Sequence, residues 1–340
     1  REIYMAKNYK GALTQKDHGS TNFKNESSIR TSSNTGGDRL ISIILPVLNE
    51  EHNLEICTKE IQSILDLNTQ FKFEVIFVDD GSTDNSPEII RKLCREYSFV
   101  KAILFRRNFG QTAAMSAGVS EAKGELIVFM DSDLQNDPGD IPMLIQKIDE
   151  GYDIVSGWRK NREDRFLNRK LPSYFANKLA SFISGVKLHD LGCSLKIYRS
   201  ELIKEIKLYG EMHRFIPLYG KIFGAKIIEC VVNHRPRKFG NTKYNISRTF
   251  KVMLDLVTIK FLLNYSTRPM YFFGGVGSLL VAASLLVGSI MAYQKYISPS
   301  NISMIQNPLL LLSAMLCMIG VNFLLMGILA EIQMRTFYAS

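Results

Sequence analysis

The chain has 340 residues, with 42 lysines and arginines against 33 aspartates and glutamates, and a formal net charge of +9. Hydrophobic residues make up 46% and charged residues 22%, which excludes a disordered chain or a disulfide scaffold. Two long uncharged apolar runs near the C-terminus argue against a purely soluble protein. The five cysteines are scattered without a C-x-x-C pair, which is typical of reduced thiols in the cytosol.

Residues 1–38 are rich in Ser, Thr, Asn, Gly and Lys, so we expect a flexible tail without a secretory signal. From residue 41 onward, short apolar strands alternate with helices. Strands are expected over 41–45, 73–78, 100–105 and 126–130 and from 153, and helices over 50–66, 87–97, 111–122 and 142–150. This alternation predicts an α/β domain with a mainly parallel sheet.

Polar clusters follow three of the expected strands. Ligands of such sheets bind beyond the carboxyl ends of the strands, so we expect these clusters to meet at one edge. The clusters are Asn49-Glu50, Asp79-Asp80 and the Asp131/Asp133 pair.

Asp131-Ser132-Asp133 places two carboxylates two positions apart at a strand end. Hard oxygen ligands suit Mg²⁺ or Mn²⁺, which usually also bind substrate phosphates, and Gln135 adds a polar contact. The alternative is a pair of solvated turn carboxylates.

Other polar residues have two interpretations each. Asp80 either binds a nucleotide base or ribose, or belongs to a turn and helix cap. Asp190, beside His189, is either a general base or part of a structural turn. Arg159 is a candidate phosphate ligand, whereas His213 is expected to be structural. No P-loop and no strand-linked G-x-G-x-x-G is present, which argues against P-loop NTPases and dinucleotide oxidoreductases.

The second half of the chain carries membrane signals. Basic amphipathic stretches at 160–190 and 248–263 predict interfacial helices, or alternatively ordinary core-facing helices. The uncharged runs 270–293 and 308–330 are long enough to span a bilayer, and the alternative is a buried helical hairpin. Lysines and arginines outside these runs place the large domain and both termini in the cytosol. A densely basic segment at 234–244 supplies further phosphate-binding candidates, or a flank that attracts anionic lipid.

Taken together, the motifs resemble those of the membrane-anchored family-2 glycosyltransferases that make polyprenyl-phosphate sugars. That group includes dolichyl-phosphate mannose synthase and bacterial undecaprenyl-phosphate glucosyl and aminoarabinose transferases. The resemblance runs from about residue 41 to 335 and rests on the segments ISIILPVLNE, FEVIFVDDGSTDNS, RRNFGQTAAMSAG, MDSDLQ, GWR, HDLGCSLKIYRSE, MHRFIP and HRPRKFGNTKYN. It implies a GT-A fold, of Rossmann type, a nucleotide-sugar donor and inversion at the anomeric carbon.

The resemblance also implies roles for individual residues. Nucleotide-sugar binding falls on Pro46, Leu48, Glu50, Val78, Asp80, Ser132 and Gln135. The metal and diphosphate motif falls on Asp131, Ser132, Asp133 and Gln135, with Mg²⁺ or Mn²⁺ as the cofactor. Catalysis is expected from Asp131, Asp133, Asp190 and Arg159, and binding of the acceptor phosphate from Arg169, Arg237 and Lys243.

The expected organisation is a tail (1–38), a cytosolic glycosyltransferase domain (39–245), an interfacial helix (246–268) and a two-helix transmembrane domain (269–335) in the inner or plasma membrane. The expected partners are a nucleotide-sugar donor, a polyprenyl phosphate of undecaprenyl or dolichyl type, the bilayer and a downstream flippase, but no nucleic acid. Tight packing of the spans favours a homo-oligomer, a dimer or tetramer. The alternatives are a non-catalytic membrane scaffold and a processive polysaccharide synthase. The latter's Q-x-x-R-W motif is absent, because the single tryptophan lies in Gly-Trp-Arg.

Overall fold

The structure is a computed structural model that describes residues 2–4, 39–160, 188–208, 210, 212–236, 257–258, 260–261, 264–265, 268–296 and 307–339. The chain forms two compact units, Arg1–Leu256 and Val257–Ser340. The expected boundary between residues 245 and 246 lies outside the described residues, as does most of both amphipathic stretches.

The first unit is built on a mixed, mostly parallel sheet. Its strands are β1 (Glu2–Tyr4), β2 (Arg39–Val47), β3 (Phe71–Asp79), β4 (Val100–Leu104), β5 (Leu126–Phe129), β6 (Ile154–Trp158), β7 (Lys196–Arg199) and β8 (Ile227–Val231). Their order is β1-β4-β3-β2-β5-β7-β6-β8, and only the β7 pairings with β5 and β6 are antiparallel among the described strands. The prediction of a mainly parallel α/β sheet is therefore confirmed. Glu2–Tyr4 lies in the stretch expected to be a tail and pairs with β4 as an edge strand.

Helices connect the parallel strands. They are α1 (Leu54–Leu67), α2 (Ser86–Glu96), α3 (Gln111–Glu121), α4 (Ile141–Asp149), α5 (Ser200–Glu205) and α6 (Ile216–Gly220), with 3₁₀ turns at Pro138–Asp140, Met212–Arg214 and Lys221–Phe223. The helices α1, α2 and α4 each turn an apolar stripe toward the sheet. In α1, for example, Leu54, Cys57 and Ile61 recur at helical spacing and are all buried.

The core lies between the sheet and these helices. The central strands β2, β3 and β5 are buried along nearly their whole length, as expected for a sheet covered on both faces. Pro46 was expected to end β2, but it continues the strand opposite Val78. Pairing with β5 already ends at Ile44, so the missing N–H of Pro46 interrupts no hydrogen bond on that side.

The second unit contains two long apolar helices, α7 (Pro269–Tyr296) and α8 (Pro308–Ala339). Both are long and apolar enough to cross a membrane, and only 17% and 6% of their most apolar windows is buried. That exposure argues against the buried-hairpin alternative. The helices pack through hydroxyls, with Ser284 Oγ donating to the Ser313 carbonyl at 2.8 Å and Ser313 Oγ to the Ser284 carbonyl at 3.1 Å. Such exchanges suit close helix pairs in an apolar setting.

Candidate active site

An open cleft of about 350 Å³ lies at the carboxyl ends of β2, β3 and β5. The three polar clusters predicted to converge all contribute to it. Its lining residues are Pro46, Val47, Leu48 and Glu50 after or at the end of β2, Asp80 after β3, Asp131, Ser132 and Asp133 after β5, and Asn108, Gly110, Gln111 and His213. The parallel sheet thus assembles one site from segments more than eighty residues apart.

Hydrogen bonds hold the Asp131–Asp133 segment at the cleft. Gln111 Nε2 donates to Asp131 Oδ1 at 2.9 Å. Ser132 is 2% exposed and its Oγ donates to the Pro46 carbonyl at 3.1 Å, tying the segment to β2. The backbone N–H of Gln135 donates to Asp133 Oδ1 at 3.1 Å. Asp133 is buried and Asp131 half-buried, which does not match the alternative of solvated turn carboxylates.

These carboxylates fit a divalent cation through their chemistry, since both present oxygen donors to the same cleft. Among the described residues, no group of three or more His, Cys, Asp or Glu side chains is placed to hold a metal ion alone. The pair therefore suits an ion whose remaining ligands are substrate phosphates and water, as is usual for Mg²⁺.

The two interpretations of the Asp79-Asp80 cluster, a structural turn and a cleft residue, apply to different members of the pair. Asp79 accepts a hydrogen bond from the Ser82 N–H at 3.2 Å and so belongs to the turn after β3. Asp80 lines the cleft and accepts from the N–H groups of Phe109 at 2.7 Å and Gly110 at 2.9 Å. Burial raises the pKa of Asp80, and the hydrogen bonds from those N–H groups only partly oppose this. The carboxylate thereby fixes the loop that forms one wall of the cleft.

Of three further predicted nucleotide ligands, Leu48 lines the cleft, whereas Val78 and Gln135 do not. Leu48 is 37% exposed at the cleft, where it presents an apolar surface. Val78 is 0% exposed within β3, and burial in the sheet keeps its side chain away from the cleft. Gln135 is absent from the cleft lining, and its Nε2 lies 3.4 Å from the Arg235 carbonyl. The Val78 and Gln135 side chains thus lie apart from the cleft lining, and their contacts with nucleotide or metal stay predictions.

Arg159 and Asp190 form a bidentate ion pair that sequence reasoning did not anticipate. Arg159 Nε lies 2.7 Å from Asp190 Oδ2, and its second terminal nitrogen lies 3.0 Å from Oδ1. The Gly192 N–H adds a third donor to Asp190 at 3.1 Å. Burial lowers the pKa of Arg159, but the hydrogen bond and charge of Asp190 outweigh it and the pKa is raised overall. A carboxylate held in this way is poorly suited to act as a base, which favours the structural interpretation, and the catalytic role of Asp190 stays a prediction.

The other predicted phosphate ligands, Arg169, Arg237 and Lys243, lie outside the described residues. Sequence reasoning gave no role to Asn108, Gly110 or Gln111, and it treated His213 as structural, although all four line the cleft. His213 Nδ1 lies 2.8 Å from Thr112 Oγ1, at the start of α3. A signal was present in the polar Gln111-Thr112 pair that opens a helix of small residues directly after a glycine.

The sequence over residues 42–207 matches the family described as glycosyl transferase family 2. The dodecaprenyl-phosphate galacturonate synthase of Rhizobium johnstonii is 43% identical over 302 residues, which cover 88% of each chain. The chain belongs to glycosyl transferase family 2. A second relative of this glycosyltransferase is the undecaprenyl-phosphate 4-deoxy-4-formamido-L-arabinose transferase of Aeromonas hydrophila, 34% identical over 86% of this chain and 88% of the relative.

The fold of this family-2 glycosyltransferase is also found in a solved structure. Glucosyl-3-phosphoglycerate synthase from Mycobacterium tuberculosis matches with a TM-score of 0.52 and 21% identity, over 65% of this chain and 80% of that one. At this identity the likeness supports the GT-A-like architecture alone. The predictions of a GT-A-like fold and of glycosyltransferase activity are confirmed.

Proposed function

We propose that this glycosyltransferase moves a sugar from a nucleotide sugar to a polyprenyl phosphate at a membrane surface. The observation that carries the proposal is the joint presence of a carboxylate-lined cleft at the sheet edge and two long apolar helices in one chain. Both relatives named above act, by their names, on polyprenyl phosphates, and their sugars differ.

The cleft provides distinct places for the parts of a nucleotide sugar. Asp80 and the apolar edge of Leu48 suit the nucleoside, and Asp131 and Asp133 suit the diphosphate. Asp131 and Asp133 would hold a divalent cation such as Mg²⁺ or Mn²⁺, which would supply charge stabilisation for the diphosphate leaving group. Ser132 and Gln111 position these carboxylates through the hydrogen bonds described above.

The acceptor chemistry requires no general base. A phosphate monoester has a second pKa of about 6, so at neutral pH it is largely dianionic and its oxygen is already a nucleophile. That oxygen forms the new bond to the anomeric carbon with inversion, while the bond from that carbon to the donor diphosphate breaks. The electron pair leaves with the nucleoside diphosphate. The role left for Asp190 is to hold Arg159 in place, close to the cleft end of β6.

The remaining parts of the proposal concern the membrane. Arg169, Arg237 and Lys243 hold the acceptor phosphate, and the amphipathic stretches at 160–190 and 246–268 lie at the bilayer surface. The helices α7 and α8 anchor the chain with its catalytic domain on the cytosolic face of the inner or plasma membrane. A homo-oligomer in the membrane and a flippase that consumes the product complete the scheme.

The test is turnover of the full chain in detergent with undecaprenyl phosphate, Mg²⁺ or Mn²⁺, and a panel of UDP- and GDP-sugars, read by mass spectrometry of the lipid product. Asp133→Ala should lower turnover by about 10²-fold or more while the fold is retained. Asp66→Asn, on the exposed side of α1, is the matched control and should leave turnover unchanged. Full turnover in Asp133→Ala would refute the diphosphate role of the cleft. Absence of product with every donor would favour a membrane scaffold.

A further inference from the structure

A second, smaller cavity of about 150 Å³ adjoins the cleft, and we call it the inner pocket. Gln111, Asp131 and His213 line both spaces. A group attached to a diphosphate at Asp131 therefore reaches the inner pocket directly. In the proposed reaction, that group is the donor sugar, so the inference rests on the proposed function.

Two neighbouring side chains of β7 shape the inner pocket. Lys196 and Tyr198 are two positions apart on one strand, so they project from the same face of the sheet. Tyr198 is 0% exposed, and its hydroxyl has no hydrogen-bond partner among the described residues. A buried hydroxyl left without a partner costs about 1–3 kcal/mol, so a ligand oxygen in this pocket would satisfy it.

Lys196 is 3% exposed and its Nζ donates to the Leu191 carbonyl at 3.0 Å. Within the part of the chain that the structure describes, it forms no ion pair with a carboxylate. Burial of an ammonium is costly, and burial here lowers the pKa of Lys196, although the charges of Asp190 and Asp131 partly oppose this. An anionic ligand group would offset that cost.

Positively charged side chains outnumber carboxylates in the lining of the inner pocket. Arg214 lines it together with Lys196, and the neighbouring His213 lies between α3 and Arg214. Asp131 is the carboxylate of the lining, and the proposed function assigns it to the diphosphate. Nearby Asp190 is already paired with Arg159. Two cations thus face a space that the sugar enters.

We propose that the inner pocket selects a donor sugar that carries a carboxylate, a uronic acid. Lys196 and Arg214 bind the carboxylate, and the Tyr198 hydroxyl donates to the same group or to a ring oxygen. Charge-assisted hydrogen bonds from Lys and Arg are the strong interactions available for carboxylates. A neutral hexose offers no charged group to the buried ammonium, and this difference sets the preference for a uronate.

The experiment measures donor binding to the full chain in detergent by calorimetry, with no acceptor present. The probes are UDP-galacturonate against UDP-galactose, and GDP-mannuronate against GDP-mannose, so that each uronate is compared with its neutral counterpart on the same base. The wild type should bind the uronate about tenfold or more tightly. In Lys196→Met, the affinities for the uronate and for its neutral counterpart should lie within about threefold of each other. Arg214→Gln and Tyr198→Phe should each reduce the difference between these two affinities.

Lys204→Met is the matched control, since Lys204 donates to the Ala122 carbonyl elsewhere in the unit. It should keep the full preference for the uronate.

Two results would overturn the inference. One is that the wild type binds the neutral donor as tightly as the uronate or more tightly. The other is that Lys196→Met lowers the affinity for both donors by the same factor. Should Lys196→Met fail to fold, Tyr198→Phe and Arg214→Gln decide, because both are milder changes. Binding of a uronate without transfer to polyprenyl phosphate refutes the proposed acceptor and leaves the pocket assignment intact. Binding of none of the four donors refutes the pocket assignment, and the wider donor panel described above tests the proposed function separately.

Discussion

The Arg159–Asp190 pair gives the most direct test of how the site is built. The two side chains are 17% and 5% exposed, and the carboxylate is held by the guanidinium through two hydrogen bonds. Removing one partner of a buried pair leaves the other charge buried and typically costs about 3–5 kcal/mol. We therefore expect Asp190→Asn and Arg159→Met each to lower the free energy of unfolding by about that amount. The double variant should recover about 1–3 kcal/mol relative to the sum of the two.

The single tryptophan makes this measurable. Trp158 precedes Arg159 and stacks on His189, which precedes Asp190, with ring centroids 4.4 Å apart and planes 17° apart. Its fluorescence should report unfolding of this region during urea denaturation, with circular dichroism as an independent probe. The matched control is Glu150→Gln, which breaks an exposed pair with Lys147 and should change stability by less than about 1 kcal/mol.

A general-base role for Asp190 would give a different result from these stability measurements. A general base would be needed for turnover but not for the fold. If Asp190→Asn keeps the unfolding free energy of the wild type and abolishes turnover, then Asp190 acts as a base and the positioning role is wrong. A double variant whose losses are simply additive would also contradict the pairing argument, because directly bonded residues should be energetically coupled.

Three further predictions follow from close contacts and charge. Gly81→Ala should unfold or strongly destabilise the first unit in thermal melts, because Gly81 has φ +72° and an added Cβ would lie 2.4 Å from a backbone atom. Gly151→Ala is the control. Gly151 is also at positive φ but has open space around it, so the substitution should lower the free energy of unfolding by only about 1–2 kcal/mol. Burial raises the pKa of Glu74, but hydrogen bonds from its neighbours outweigh it and hold the pKa below its usual 4.5. The stability it contributes is therefore present above about pH 4.5 and lost as pH falls through the folded-state pKa, and urea denaturation between pH 3 and 6 should show a shallower acid loss in Glu74→Gln. Gly320→Leu should lower the melting temperature in detergent, since its Cβ would lie 2.9 Å from a carbonyl of the facing helix, whereas Gly275→Leu has open space and should not.

Much of the fold could be predicted because the sheet is buried on both faces. Strands such as β2, β3 and β5 are short apolar runs between polar turns, and their expected bounds differ from the observed ones by at most two residues. β7 escaped prediction for a physical reason. Its sequence Lys-Ile-Tyr-Arg reads as polar, yet Lys196 and Tyr198 are buried, and its antiparallel pairing breaks the βα alternation. β8 was missed although its sequence, Ile-Ile-Glu-Cys-Val, is rich in the β-branched residues that favour strands.

The candidate site, too, could be predicted from the sequence only in part. Its strand-end carboxylates could be placed from topology alone, since parallel strands end at one edge. The pairing of Arg159 with Asp190 could not be predicted, because it joins residues 31 positions apart through side-chain geometry. The role of a polar residue in a turn is equally ambiguous from sequence. Asp79 and Asp80 are adjacent and chemically identical, and only the direction of each side chain assigns one to the turn and the other to the cleft.

Backbone geometry explains why the cleft keeps its shape. Among the described non-glycine residues, positive φ angles occur at Asn49 (58°) and Leu134 (62°), and each adjoins a cleft residue. Asn tolerates this region, and Asn49 Oδ1 also accepts from the Thr83 N–H at 2.8 Å. Leu134 incurs about 1–2 kcal/mol of backbone strain, which the burial of its side chain, 3% exposed, offsets. The hydrophobic core therefore holds the turn after Asp133 in a conformation that an exposed loop would not keep, and the carboxylate stays directed at the cleft before any ligand arrives.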